Sequence, residues 1–510
     1  MTNPAAAMKM LITYAVCIPL AIFIGYILTN PMDYGTMGFL AFVLAAIISP
    51  IFIKWHYPIL IFGLGSPIVL FFLPARPPLW QAVTFLSLAI AIVERTLSNR
   101  RRFISLPAIT MPLMFLLGVI IFTMELTGGI GFHQLGSAGG GGQKYAWCFA
   151  GVAIFFALVS REIPKKQRDL YIFVFFFSGT LAFLGDIGPL LPAPLSYINL
   201  LIPPSGATSS GEATLGVTRL GMLSGSCGVA ATWMLARYGL RGIIEGGSIW
   251  RLAAFCLFMT ASLLGGFRST LIGFALVLLV LFFLEGLHRT KFLFLLLMGG
   301  ALMAGLLVPF ASHFPSAIQR SLAFLPFVNL DPAVRMDAEG SSEWRLAMWR
   351  DLLPQVPNYL LVGKGYSISE EDFEYIGRGA QANASATLDA SKQALALSND
   401  FHSGPLSTLI GFGIWGAIGL LWLMAAVVWL LYRNYRYGDP ELQTLNAYLL
   451  ASSIVSIIVF LFVVGAFQNA IGDYCKVAGL SAALNWGVRG PQAKPAAVQR
   501  IKPLPQPQAA

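Results

Sequence analysis

Arg219, Arg268, Arg345 and His402 are residue types that together suit the transfer of a group from a phosphorylated donor to a hydroxyl. A guanidinium grips phosphate oxygens bidentately and keeps its charge, and an imidazole near neutrality can take a proton from a hydroxyl. Arg268 is the sharpest of them. It stands in Gly265-Gly266-Phe267-Arg268-Ser269-Thr270, between two apolar runs and with too little chain around it for a solvated loop, so it needs a partner. Two readings fit: a cation snorkelling from a helix end, or part of an anion site. The small neighbours Gly265, Gly266 and Ser269 let a ligand or another helix come close. Arg219 opens another apolar run in Thr218-Arg219-Leu220-Gly221.

The segment Glu343 to Leu353 places apolar residues at 344, 348 and 352 and again at 349 and 353, a helical stripe ended by Pro354. Its tryptophans suit a helix lying at a membrane surface, where Arg345 and Arg350 reach headgroup phosphates or a specific anion. A surface helix with solvated arginines fits the segment equally. His402 lies between Asn399-Asp400-Phe401 and Ser403-Gly404-Pro405, just before a long apolar run. It is either an ordinary polar residue at a loop-to-membrane junction or a base whose ring Asp400 orients. Asp473, near the end of a late apolar run, is a further candidate for binding substrate. His133, His313 and His402 are isolated, with no repeated His/Asp/Glu spacing, which disfavours a metal. Cys17, Cys148, Cys227, Cys256 and Cys475 are odd in number and form no CxxC pair, so neither a disulfide framework nor a thiolate metal site is indicated.

The elements that must carry these residues follow from composition. Of the 510 residues 57% are hydrophobic and 11% charged, and the mean hydropathy is +0.73. A soluble domain does not look like this. Backbone groups inside lipid must be satisfied within their own element, and the runs lack the alternation of a membrane barrel. The chain therefore reads as an all-α, polytopic integral membrane protein of about fourteen transmembrane helices, with a long external loop between the eleventh and the twelfth. The spans fall near 10–29, 35–53, 57–73, 79–94, 104–126, 146–160, 170–191, 218–236, 251–267, 268–285, 292–310, 404–432, 442–466 and, more weakly, 470–487. The first run reads as a retained helix, not a signal peptide, for want of a cationic start and a cleavage site.

Lysine and arginine mark alternate connections: Arg95 and Arg100 to Arg102, then Arg161 to Arg168, Arg237 to Arg251, Arg289 and Lys291, and Arg433 and Arg436. This alternation places both termini in the cytoplasm and puts Arg219, Arg268, Arg345 and His402 together at the outer leaflet. The net charge of +10 is thus topological and does not point to nucleic acid. The Gly139 to Gly142 run lacks GK[ST] and a preceding strand, and reads as a flexible outer loop. The organisation expected is N-terminal spans over 1–217, spans carrying Arg219 and Arg268 over 218–310, an external segment with an interfacial helix over 311–403, C-terminal spans over 404–488, and a disordered tail over 489–510.

Taken in order, four strings resemble the O-antigen ligase and O-antigen polymerase family of bacterial membrane proteins. They are Arg219-Leu-Gly-Met-Leu-Ser-Gly-Ser; Gly266-Phe-Arg268-Ser-Thr-Leu; Arg345-Leu-Ala-Met-Trp349 with Gly363-Lys-Gly365; and His402-Ser-Gly-Pro-Leu with Gly411-Phe-Gly413. The similarity covers roughly residues 215–470. Phe267 stands where the family often has a small residue, and Ser224-Gly-Ser-Cys227 where it has an asparagine-rich stretch. The resemblance implies a metal-independent glycosyltransferase without a cofactor, using an undecaprenyl-pyrophosphate-linked glycan as donor and a glycolipid, glycan or protein as acceptor. It also implies a bacterial cytoplasmic membrane with the site facing the periplasm. In such an enzyme Arg268 and Arg345 hold the leaving pyrophosphate, Arg219 and Arg350 assist, His402 activates or positions the acceptor, and Asp473 helps. The competing class is a polysaccharide or lipid transporter, for which internal repeats and charges near the midplane are expected; no clear repeat is present. A scaffold of an envelope assembly would leave Arg268 and His402 dispensable.

Overall fold

An apolar run in lipid has no solvent to bond its amides, so it coils on itself, and helix is the regular structure throughout the described part of this chain. The computed structural model describes residues 14–15, 17–19, 21–22, 25, 34–73, 75–97, 103–131, 140–204, 219–245, 248–325, 327–368 and 401–490. Arg100 to Arg102, Gly139, Thr218, Asp400 and the tail beyond 490 lie outside these residues, as does most of the expected first span. By contacts the chain divides into residues 1–59 and 60–510, and every site residue belongs to the second unit.

The helices that follow are α1 (Tyr34–Gly65), α2 (Leu79–Leu97), α3 (Pro107–Thr127), α4 (Gly142–Leu158), α5 (Arg168–Thr180), α6 (Phe183–Ile187), α7 (Gly221–Ile244), α8 (Ile249–Ala261), α9 (Arg268–Leu284), α10 (Phe292–Phe310), α11 (Ser316–Leu322), α12 (Pro332–Leu352), α13 (Gly404–Tyr437), α14 (Gln443–Phe462) and α15 (Phe467–Asn485). Among the described residues five stretches have the length and apolar character to cross a membrane: Leu79–Leu97, Pro107–Thr127, Lys165–Leu190, Gly404–Tyr437 and Pro440–Phe462. Three shorter apolar helices, Ile249–Gly265, Arg268–Leu284 and Phe292–Leu302, add to them. The protein is an all-α, multi-pass membrane protein.

One segmentation differs from the sequence reading. The spans expected at 35–53 and 57–73 are largely one 32-residue helix, α1, which runs through Lys54 and His56 and through Pro50 and Pro58. Hydropathy dips at Lys54 because the side chains are polar, but the backbone ladder does not depend on that polarity.

In the second unit α15 is packed between neighbours, with Phe467, Ile471, Cys475 and Leu484 all fully buried. It meets α4 closely: a Cβ on Gly151 would lie 3.1 Å from the Gly472 nitrogen, and one on Gly479 would strike Leu158. Small residues let two backbones approach where apolar burial alone gives no preference for protein over lipid. At the far end of α13, α14 and α15 the amides of Asn434, Asn446 and Asn485 form a fully buried network: Asn446 donates to the Asn485 Oδ1 (3.2 Å), Asn485 to the Asn446 Oδ1 (3.0 Å) and Asn434 to the Ser481 Oγ (3.0 Å). Nearby, buried Arg168 donates to Asp439 (2.8 Å). This network fixes one end of the three helices whose other ends carry His402 and Asp473.

Candidate active site

The turn between α8 and α9 is the structural centre of the site. Leu220 donates its amide to the Leu264 carbonyl (3.1 Å), Ser224 donates its hydroxyl to the Ser262 carbonyl, and Ser321 donates to the Leu263 carbonyl (3.2 Å). Gly266, at φ 67°, turns the chain into α9, and its carbonyl accepts from Nη1 of Arg320 (2.7 Å). A Cβ at Gly265 would fall 2.7 Å from the Ser224 Oγ. Of the small residues read from sequence as room for a ligand or a helix, Gly265 is met by Ser224 at the start of α7 and Gly266 by Ala317 and Arg320 of α11, whereas Ser269 faces a cavity. Arg268, the first residue of α9, is aimed by this clamp and donates from Nη1 to the Ser342 Oγ on α12 (2.9 Å).

Around it the arginines divide by what they already hold. Arg219, 8% exposed, donates to both carboxylate oxygens of Asp337 (3.1 and 3.3 Å), and Arg320, 6% exposed, donates to Asp337 through Nε. One carboxylate thus neutralises two nearly buried cations, an arrangement that is costly to break because it would strand a charge. Arg268 lies in the field of Arg320, Arg345 and Asp337 together. Arg345 is half-buried, and among the described residues its buried Nε has no hydrogen-bond partner. Burial first, and then the charge of Arg320, pull the Arg345 guanidinium below its ordinary pKa. A cation disfavoured in this way gains most when an anion arrives.

The stripe on α12 is met by protein. Met348 and Leu352 are buried in a cluster with Phe401, Leu406 and Ile410, and Trp349 donates its indole N–H to the Phe401 carbonyl (3.0 Å). Arg350 is exposed and, five residues on from Arg345, points roughly 140° away around the helix; the structure does not bring it to the other arginines.

His402 takes a left-handed backbone, φ 48°, a conformation that costs a non-glycine residue on the order of 1 kcal/mol and persists only where its neighbours are fixed. They are fixed here. Phe401 is held by Trp349, and Ser403 caps α13 by accepting from the Leu406 amide (3.5 Å). The ring lines a cavity of about 600 Å³ together with Ser269, Thr270, Asn469 and Asp473, which continues along α14 past Ser456 and Ser452 to Tyr448. Asp473 has 67% of its side chain exposed and pairs with Lys476 (3.4 Å). Ser269 and Thr270 directly follow Arg268, so the helix start that carries the arginine also walls the histidine's cavity.

Two glycine pairs singled out in the sequence explain each other. Helix α13 breaks at Gly413, φ 63°, which frees the carbonyls of Ile410 and Gly411. Lys364 and Gly365 donate their amides to those carbonyls (2.7 and 2.9 Å), and the Ile414 amide donates back to the Leu360 carbonyl (2.7 Å). A Cβ on Gly413 would lie 2.6 Å from that same Leu360 oxygen. The Gly363-Lys-Gly365 segment is therefore a splint for the broken helix.

Arg320 and Asp337 were not legible as site residues. Both lie in a stretch read as an external segment, where a lone charge does not stand out, and their partners are 118 and 54 residues away in sequence. Among the described residues no group of three or more His, Cys, Asp or Glu is placed to hold a metal ion.

Residues 252–421 match the family model described as O-antigen ligase. The matched span takes in Arg268, Arg320, Asp337, Arg345, His402 and both glycine pairs. No curated protein matches the chain. A clamp that presents arginines and a histidine at one end of apolar helices thus lies, in this multi-pass membrane protein, inside a region of about a third of the chain that is similar to the O-antigen ligase family.

Proposed function

We propose that the protein transfers a glycan from an undecaprenyl-pyrophosphate donor to an acceptor hydroxyl, without a metal ion, at the periplasmic face of a bacterial inner membrane. The observation that carries this reading is the division of the arginines: Arg219 and Arg320 are committed to Asp337, while Arg268 and Arg345 keep capacity for an anion. In the transfer, the acceptor oxygen attacks the anomeric carbon as its proton passes to His402, and the bond from that carbon to the pyrophosphate oxygen breaks. The electron pair leaves on the pyrophosphate, where Arg268 and Arg345 meet the developing charge. The cavity beneath His402 extends along α14 from Phe460 to Tyr448, roughly 18 Å of helix, which suits part of a polyprenyl chain at membrane depth. Asp473 lies at the mouth of that cavity and contacts the acceptor or its approach.

Incubating the purified chain with an undecaprenyl-pyrophosphate glycan and three acceptors, a lipid A core, a second donor molecule and a serine-rich peptide, is expected to yield one product class, identified by its mass. No product from any of them would overturn the reading. Turnover is expected to persist after exhaustive chelation; a loss restored by Mg²⁺ or Mn²⁺ would show that the arginines do not suffice for the leaving group.

The orientation follows from the cation alternation and is tested separately. In a cysteine-free background an impermeant reagent added outside is expected to label Ser391→Cys and to spare Lys165→Cys. The reverse pattern would turn the site toward the cytoplasm.

A further inference from the structure

A second cavity, about 620 Å³, is walled by Arg268, which does not line the cavity of His402, and takes no part in the chemistry described above; Phe327, Arg335, Glu339, Ser342 and Glu343 line it as well. Arg335, Glu339 and Glu343 recur at i, i+4 and i+8, so they share one face of α12. An arginine and a glutamate at that spacing usually pair. Here Arg335 donates from Nη2 to the Val328 carbonyl (3.2 Å), and among the described residues neither Glu339 nor Glu343 makes an ion pair or a hydrogen bond. Phe327 stands 93% exposed on a left-handed residue, φ 66°, in the connection between α11 and α12. Two idle carboxylates and an uncovered aromatic ring around a cavity suit a sugar. Carboxylates accept strongly from neighbouring hydroxyls, and an aromatic face covers the C–H face of a pyranose.

We propose that this cavity is the subsite for the sugar joined to the donor's pyrophosphate, and that Glu339 and Glu343 select a neutral or amino-bearing pyranose over a uronic acid. The inference rests on the reading that Arg268 holds the pyrophosphate. A sugar bonded to that pyrophosphate has to occupy space that Arg268 borders, and this cavity is such a space. The carboxylates sit where an acidic sugar would be repelled and where hydroxyls or an ammonium would be bound.

The test compares binding of three probes by the purified full chain: polyprenyl pyrophosphate alone, the same lipid carrying one N-acetylhexosamine, and the same lipid carrying one glucuronic acid. The double variant Glu339→Gln, Glu343→Gln is expected to bind the N-acetylhexosamine probe roughly 10- to 100-fold more weakly, the effect of losing hydrogen bonds to a charged group. It is expected to bind the bare lipid pyrophosphate as the wild type does and the glucuronic acid probe more tightly than the wild type does. Equal binding of the N-acetylhexosamine probe by variant and wild type would overturn the subsite while leaving the anion site intact. If Arg268→Ala binds bare polyprenyl pyrophosphate as well as the wild type, the anion site is elsewhere and the subsite falls with it.

Discussion

His402→Ala is expected to keep its affinity for the lipid-pyrophosphate donor while single-turnover transfer slows by roughly 10²- to 10⁴-fold, the range for loss of a positioned general base. The ring faces a cavity, while the backbone of residue 402 is set by the Trp349 bond to Phe401 and by the Ser403 cap, none of which uses the imidazole. Alanine is also free of any polar group that could substitute. If the imidazole takes the acceptor's proton, the pH dependence of transfer flattens in the variant together with the fall in rate. Donor affinity measured by displacement, and transfer measured under single-turnover conditions at equal amounts of folded protein, separate the two effects. Near-normal transfer would return His402 to a polar residue at a helix junction.

Arg268→Ala and Arg345→Ala are each expected to lose on the order of 10²- to 10³-fold in turnover, by analogy with removal of one oxyanion donor. Donor binding weakens as well, because the same guanidinium meets the ground-state pyrophosphate. The two arginines differ in how they are held. Arg268 has Ser342 as its partner and a clamped turn behind it, so alanine leaves the clamp standing. Arg345 carries a buried Nε without a partner and a guanidinium pulled down by burial and by Arg320, so the anion repays a cost already present in the protein. Lysine is expected to rescue either position only in part, since it restores the charge but not the planar fork. Unchanged donor binding and turnover in Arg268→Ala would leave a snorkelling cation as the better account of that residue.

The all-α membrane architecture was legible from the sequence because hydropathy is local: a run too apolar for water must satisfy its own backbone, and helix is the way to do so within one segment. The cation alternation and the unsolvated turn at Arg268 were legible on the same ground, since each is a property of a few adjacent residues. The tertiary structure decided which charges are spent. Arg219 is taken by Asp337, a partner 118 residues away, and Arg320 enters the site through a carbonyl 54 residues away; no local pattern encodes pairs at such separations. Arg350 shares a helix with Arg345 but not a face, because the helix turns it away. The α12 stripe gave the helix but not its partner, as apolar side chains at helical spacing fit lipid or protein equally, and here Phe401, Leu406 and Ile410 supply the partner. The break of α13 at Gly413 and the left-handed turn at His402 were decided in the same way: each is a backbone state unfavourable by itself that the contacts of Lys364, Gly365 and Trp349 hold in place.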